Sequence, residues 1–287
     1  MPTGEVLCVG EILWDSLPTG LFLGGAPFNV ACHLSAAGVP VAMVSRVGAD
    51  PLGDEAVRRA HGYGVATDLV QVDPTLPTGL VNATIDESGE ARYVIVDGAA
   101  WDAIEQNDIL LARAENAVAI VFGSLAQRHA TTRRTIEQLW ESKALMVFDL
   151  NIRPPYEDRD VIGRSLERAD VVKVNTGELQ RLASWFGLPS GERESALALS
   201  RLFSCPIVCV TRGRSGAGLL RNDAWAEHPG FEVHVRDTVG AGDAFLATLL
   251  AGLLAGADNE TLLKDANRSG ADVAARFGAL PIDQFSS

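Results

Sequence analysis

The chain has 287 residues, 47% of them hydrophobic, with 24 basic against 37 acidic side chains and a net charge of −13. That length and apolar content suit one large domain, or one domain with a small appendage, built on a sizeable core, and the negative charge argues against non-specific binding to nucleic acid or an anionic membrane while leaving room for a local anion site. The four cysteines (Cys8, Cys32, Cys205 and Cys209) form no CxxC pair and the five histidines are scattered, so reduced buried thiols are expected rather than a zinc site.

The N-terminal stretch MPTGEVLCVGEILWDSLP has no basic leader and too short an apolar run for export. The run AFLATLLAGLLAGA, Ala244–Ala257, stops well short of a membrane span. A cytoplasmic protein is expected. Strand-like apolar runs follow in order: VLCVG, VAMVSRVG, AVAIVFGS, LMVFDLN, DVVKVN and PIVCVTRG. Most are continuous rather than alternating, as in strands covered on both faces. Between them lie helical patterns. One opens at DPLGDEAVRRAH, where Asp50 can cap and Pro51 fits the first turn. Others are expected over His129–Ser142, Glu178–Phe186, Glu192–Phe203, Asp243–Ala257 and Thr261–Phe277. Strand–helix alternation predicts an α/β fold with a mostly parallel sheet between helices.

Two segments break the pattern. Trp14–Gly24 is short and turns at Pro18 and Gly20, and Gly79–Val96 alternates and turns at DESGE, Asp86–Glu90, as an antiparallel hairpin does. They are either ordinary edge hairpins or one small sheet that covers a site and excludes water.

The stretch DTVGAGDAF, Asp237–Phe245, opens an apolar helix with glycines. Free N–H groups and the positive end of the dipole make Gly240–Gly242 a candidate anion site. It is not a Walker A loop, because none of the three lysines follows a glycine. It is not a dinucleotide fingerprint, because Phe245 stands where the third glycine belongs. Asp243 reads equally as a first-turn acid complementing the dipole or as a general base that takes a hydroxyl proton while the amides steady a phosphoryl group.

DTVGAGDAF resembles the C-terminal signature of the PfkB, or ribokinase-like, family of carbohydrate kinases, and GGAPFNVACHLSAAG (Gly24–Gly38) resembles its N-terminal glycine signature. FDLNIRP (Phe148–Pro154), VNTGE (Val174–Glu178, the family's N-x-x-E) and TRGRSG (Thr211–Gly216) stand between them in the family's order. The resemblance spans essentially the whole chain. It implies a single ribokinase-like α/β domain over 1–287, a three-layer sandwich with a small β-sheet lid formed by about 12–26 and 78–101. It implies Asp243 as the base, with the amides of Gly240, Ala241 and Gly242 as the anion hole. Asp15, Gly24, Gly25 and Asn29 would hold sugar hydroxyls, and Arg153 a sugar or phosphate. Asn175 and Glu178 would place Mg²⁺ and its waters; Thr211, Gly213 and Gly216 would line the path of the ATP phosphates; Asn267 would fall near adenine. Asp237 resembles the family's monovalent-cation ligand, with K⁺ the cation. Bland alternatives stand beside these roles: Asp15 as a turn cap, Asn175 with Glu178 as a capping box, Arg153 as a surface charge, and Trp101 as either packing or a sugar-stacking face.

GEILWDSLP, LGGAPFN, AAWD, FGSLAQR and FDLNIRPPY look like the bacterial fructokinases of that family. The stretch YVIVDGAA, an uncharged YVIV followed by Asp97, which would repel an acid, does not suit an acidic sugar. The expected reaction is ATP-dependent phosphorylation of a primary hydroxyl, O6 of D-fructose, with ATP and the sugar as small-molecule partners and no nucleic acid or membrane partner. Other sugars or nucleosides (ribose, ketodeoxygluconate, adenosine) are the alternatives within the class. A sensor without turnover and a nicotinamide-dependent oxidoreductase are the alternatives outside it. Lids of the family sometimes pair between subunits, which admits a homodimer.

Overall fold

The computed structural model describes residues 4–17, 20–85 and 91–280. The turns expected at Pro18 and at Asp86–Glu90 lie outside the described residues, as does the start of the N-terminal stretch. The chain begins with β1 (Val6–Val9), β2 (Leu13–Leu17), β3 (Gly20–Gly24), α1 (Ala26–Ala36), β4 (Val41–Gly48), α2 (Pro51–Gly62) and β5 (Val70–Asp73). It continues through β6 (Gly79–Ile85), β7 (Ala91–Ile95), α3 (Asp108–Asn116), β8 (Ala119–Gly123), α4 (Ala130–Leu139), β9 (Leu145–Asp149), α5 (Arg159–Arg168), β10 (Val171–Asn175) and α6 (Thr176–Phe186). It ends with α7 (Glu192–Phe203), β11 (Ile207–Thr211), β12 (Ala217–Arg221), β13 (Ala224–His228), α8 (Ala241–Leu254) and α9 (Asn259–Ala274).

Nine strands form one sheet in the order β13-β12-β11-β10-β9-β8-β1-β4-β5. From β5 to β11 every neighbouring pair is parallel; at one edge β12 pairs antiparallel with both β11 and β13. The strands alternate between two cores. Leu7, Val9, Val44, Phe122, Phe148 and Val174 face Leu110, Ile136, Leu166 and Leu182 of α3–α6. Val6, Cys8, Met43, Val121 and Val147 face Phe28, Ala31, Ala60, Leu246 and Leu250 of α1, α2 and α8. This is the three-layer α/β sandwich, and double burial explains why the strands read as unbroken apolar runs. All four cysteines are buried and free.

Three helices, α1, α3 and α5, are not among those expected from the sequence, although Asn107 and Asp158 cap α3 and α5. In α1, Phe28, Val30, Ala31, Cys32 and Leu34 are all buried, so the helix is apolar nearly all round and shows no stripe. Helix α8 starts at Ala241, two residues before the expected Asp243, so the acid sits within the first turn. The Asp50 cap is present, its Oδ1 accepting from the Gly53 N–H at 2.9 Å.

A second sheet, in the order β3-β2-β6-β7, unites the two irregular segments. Asp15 pairs with Phe22 and with Val81, and Val81 pairs with Ile95, so these four residues share one face. Leu21 and Val94 lie on the opposite face and are exposed.

Arg128 ties this sheet to the large one. Its guanidinium lies 4.0 Å from the centre of the Trp101 ring and 4.6 Å from that of Tyr156. Two of its nitrogens reach Asp102 at 2.7 Å, and Nη2 also donates to the carbonyl of Val96, just past β7. Trp101 is fully buried under this cation. That settles its role as packing; the ring offers no face to a sugar.

Arg128 and Asp102 are both almost completely buried, and removing one partner of such a pair strands the other charge at a cost of about 3–5 kcal/mol. Arg128→Ala should therefore lose about 3 kcal/mol in urea unfolding. A loss below about 1 kcal/mol, the scale of an exposed pair, would show that the clamp carries no such energy.

Candidate active site

Parallel α/β sheets place ligands at the carboxyl ends of their strands, where the direction of sheet growth reverses. Here the sheet grows from β1 through β4 to β5, then restarts on the other side of β1 with β8. The sequence-derived residues gather on that edge. Asn175 ends β10 and Glu178 follows it; Thr211 ends β11; Arg153 follows β9. The N-termini of α1 and α8 bring Gly24, Gly25 and Asn29 and then Gly240–Asp243 to the same edge.

Asp243 is buried, and its Oδ2 accepts from Asn29 Nδ2 at 2.8 Å. Burial raises its carboxyl from 3.8 to about 6; Asp149 pushes the same way, while Lys173, the Asn29 bond and Arg153 oppose. Asn29, expected at a sugar hydroxyl, thus also orients Asp243, and its buried Oδ1 has no partner among the described residues. Above about pH 6 this carboxylate can take a proton.

Lys173 explains how a carboxylate can sit here. Its Nζ donates to both oxygens of Asp149, at 2.8 and 3.0 Å. Burial pulls the ammonium down, but Asp149, with Asp243 and Glu178 beyond it, pulls it up further. A Cβ on Gly242 would come 3.5 Å from Nζ, so the cation lies directly under the first turn of α8. The sequence reading missed Lys173, although a lysine inside the apolar run VVKVN is itself a signal, because a buried ammonium needs a partner.

Gly240 is left-handed, with φ 77, and a Cβ there would meet Ala279 at 2.4 Å. Its N–H and that of Gly242 have no acceptor among the described residues, whereas the Ala241 N–H reaches the Thr238 carbonyl at 3.3 Å. Two of the three amides assigned to the anion hole are therefore free, and the third is engaged in a long turn contact.

Asn175 and Glu178 form a complete capping box. Asn175 Oδ1 accepts the Glu178 N–H at 2.9 Å, and Glu178 Oε2 accepts the Asn175 N–H at 2.8 Å. Glu178 Oε1 accepts from Ile152 at 2.9 Å. Burial raises the Glu178 carboxyl, against the Asn175 N–H and with Asp149. Each oxygen keeps a lone pair, which suits contact with a cation through its water shell better than direct ligation. Thr211 Oγ1 reaches the Val174 carbonyl at 3.4 Å. Gly213 is left-handed, with open space at its Cβ position. Gly216 is required by a backbone crossing: a Cβ there would lie 1.9 Å from the His228 carbonyl. Asn267 donates to the Leu263 carbonyl of its own helix at 2.7 Å, leaving Oδ1 free. Both oxygens of Asp237 accept backbone N–H groups, from Val239 at 3.0 Å and Gly278 at 3.3 Å.

On the other side of the cleft, burial raises Asp15 to about 6, with Arg153 opposing. Its sheet face is otherwise apolar: Phe22, Val81 and Ile95. A Cβ on Gly24 would come 3.1 Å from Asp15 Oδ2, and one on Gly25, where φ is 116, would strike the Glu11 carbonyl at 2.3 Å. Arg153 is exposed and acts electrostatically on Asp15, Asp243 and Glu11. Glu11, an acid in the apolar run CVGEIL, is buried beside this group and was also missed.

The family model for "pfkB family carbohydrate kinase" matches residues 19–283. The chain is similar to Fructokinase-1 of Oryza sativa subsp. japonica, 30% identical over 96% of this chain and 93% of that one. It is similar to a fructokinase of Klebsiella pneumoniae, 29% identical over 88% of this chain and 85% of the other. Among solved structures, the fructokinase of Xylella fastidiosa with bound ATP superposes with a TM-score of 0.82 at 26% identity, covering 96% and 93% of the two chains. A fructokinase variant of Vibrio cholerae O395 with fructose, ADP and potassium bound gives 0.81 at 26%, covering 97% and 94%.

The raised carboxyl of Asp243 has a consequence for stability. Between about pH 4 and 6 the folded chain keeps a proton that the unfolded chain has shed, so stability falls as pH rises through that window and stays lower above it. Asp243→Asn removes that cost. Its stability relative to wild type should improve by about 2 kcal/mol between pH 4 and pH 7.5, in denaturant melts at the two values. An unchanged difference would show that Asp243 is not held neutral by burial.

Proposed function

The chain belongs to the pfkB family of carbohydrate kinases, and from that premise we propose that it transfers the γ-phosphoryl group of ATP to O6 of D-fructose. The observation that carries the reading is Asp243: a buried carboxylate, hydrogen-bonded by Asn29, at the mouth of a glycine-opened helix with free amides at Gly240 and Gly242. A carboxylate beside an anion site weakens ATP binding, a cost explained by a task in the reaction. Here it takes the proton from the attacking hydroxyl, while the amides of Gly240, Gly242 and, once its turn contact yields, Ala241 hold the charge of the phosphoryl group in flight. Lys173 lies beneath that turn and offsets the accumulated negative charge.

Asp15, Gly24, Gly25, Asn29 and Arg153 hold the sugar. Thr211, Gly213 and Gly216 border the triphosphate, with Asn267 toward adenine. Asn175 and Glu178 would hold Mg²⁺ through its waters, and the ion would supply positive charge that offsets the charge on the ATP phosphates. A potassium ion at Asp237 would use the lone pairs left beyond its two N–H contacts. The small sheet, about 12–26 and 78–101 within a single 1–287 domain, acts as the lid, and its exposed Leu21 and Val94 suit pairing with a second copy. Among the described residues no helix is long and apolar enough to cross a membrane, and we assign the reaction to the cytoplasm.

The apolar face around Asp15 supports a neutral substrate. An anionic sugar would meet Asp15 and Asp243, with Arg153 the exposed cation in compensation. A smaller sugar would leave buried polar groups unpaired, each costing about 1–3 kcal/mol. With saturating Mg·ATP, kcat/KM for fructose should exceed that for ribose, adenosine, ketodeoxygluconate and fructose 6-phosphate. Any of these at least about tenfold better than fructose would sink the fructose assignment and leave the kinase standing. Binding without ADP release would instead identify a sensor.

Asp243→Asn should reduce turnover by about 10²–10⁴-fold, with nucleotide affinity nearly intact. A folded variant with near wild-type kcat would falsify the base assignment. Glu178→Gln should raise the Mg²⁺ concentration for half-maximal rate in a graded way. If only thermal stability falls, the capping box is its whole role.

A further inference from the structure

Glu11 follows β1 and is 3% exposed. Its Oε1 accepts from the N–H of Ala26, the first residue of α1, at 3.3 Å. That helix has Gly25 at its N-cap and no side chain of its own in the capping position. Glu11 supplies the missing acceptor from a neighbouring element. One turn along α1, Asn29 holds Asp243. Glu11 Oε2 is buried and has no hydrogen-bond partner among the described residues.

Three charged groups face Glu11: Arg153 from the segment after β9, Asp243 from α8, and Asp149, which borders the same small cavity at the end of β9. Helix α1 presents only Ala26, Pro27 and Val30 to that cavity, and the end of β8 only uncharged residues. Burial raises the Glu11 carboxyl from 4.5 to about 7, against its own N–H, the Ala26 N–H and Arg153, and with Asp243.

Building on the kinase reading above, we propose that Glu11 is a positioning residue that works as a neutral acid: it caps α1, so that Asn29 keeps Asp243 in place, and its ionisation undoes that arrangement. In the neutral acid the Oε1 carbonyl serves α1 and the proton rests on Oε2. Ionised, Oε2 becomes an unpaired buried charge beside Asp243, and the first turn of α1 must shift to reach water. A purely structural cap behaves in the opposite sense, because an anionic carboxylate at a helix N-terminus stabilises it more than a neutral one.

The test is the pH profile of fructose-dependent ADP release, from pH 5.5 to 8.5, for wild type, Glu11→Gln and Glu11→Ala. Glu11→Ala should lower kcat by about 10–100-fold with the KM for Mg·ATP little changed, the scale of a catalytic group misplaced by about an ångström. Glu11→Gln keeps the acceptor and should recover most of that loss near pH 6.5. Wild-type kcat should fall several-fold above an inflection near 7, and the Glu11→Gln profile should lack that fall. Superimposable wild-type and Glu11→Gln profiles, or wild-type kcat in Glu11→Ala, would overturn the proposal. If wild type phosphorylates no sugar, the kinase reading fails instead. Carboxyl ¹³C titration of the ligand-free protein then decides the point alone: an ionisation near 7 for Glu11 supports it, and one near the ordinary glutamate value refutes it.

Discussion

The ammonium of Lys173, locked between the two oxygens of Asp149 beneath the first turn of α8, is the interaction on which the cleft depends. Asp149, Asp243, Glu178 and Glu11 are all buried on this edge of the sheet. Burying that many carboxyls together is prohibitive unless some are neutral and the rest are compensated. The protein does both. Lys173 pairs with both oxygens of Asp149, and its field lowers Asp243 and Glu178, while desolvation keeps all three of Asp243, Glu178 and Glu11 above their ordinary values. The outcome is a group of raised carboxyls, Asp243 at about 6 and Glu11 at about 7, a condition suited to proton transfer.

Backbone packing sets the geometry around these charges. Gly25 sits so close to the Glu11 carbonyl, and Gly240 so close to Ala279, that any side chain would clash. Both glycines stand at helix N-caps, so the same close approach that removes Cβ leaves first-turn N–H groups available. Helices α1 and α8 pack against each other, which brings Asn29 to Asp243 across 214 residues of sequence. In the proposed reaction, recognition of an anion and activation of a hydroxyl would share this pair of packed helices.

The small sheet contributes a different chemistry. Its face toward the cleft carries a single carboxylate, Asp15, among Phe22, Val81 and Ile95. That environment desolvates Asp15 and raises its carboxyl to about 6. Arg128, packed on Trp101 and Tyr156 and paired with Asp102, anchors the sheet through its bond to the Val96 carbonyl just past β7.

Much of this was legible in the sequence, because it depends on local rules. The six apolar runs were recognisable as doubly covered strands, Asp50 and Pro51 as a helix start, and Gly240–Asp243 as a helix-opening turn. Family signatures identified the rest of the candidate residues, and comparison with known proteins establishes the family. What the sequence could not supply is pairing across space. Lys173 with Asp149, Asn29 with Asp243, Glu11 with Ala26, and Arg128 with Asp102, Trp101 and Tyr156 join residues that have no local relation. Helix α1 was hidden for a related reason: it is packed on nearly all sides and lacks an amphipathic stripe. Local propensity and turn chemistry are written residue by residue, whereas the protonation state of a buried acid depends on neighbours that only the folded chain brings within a few ångströms.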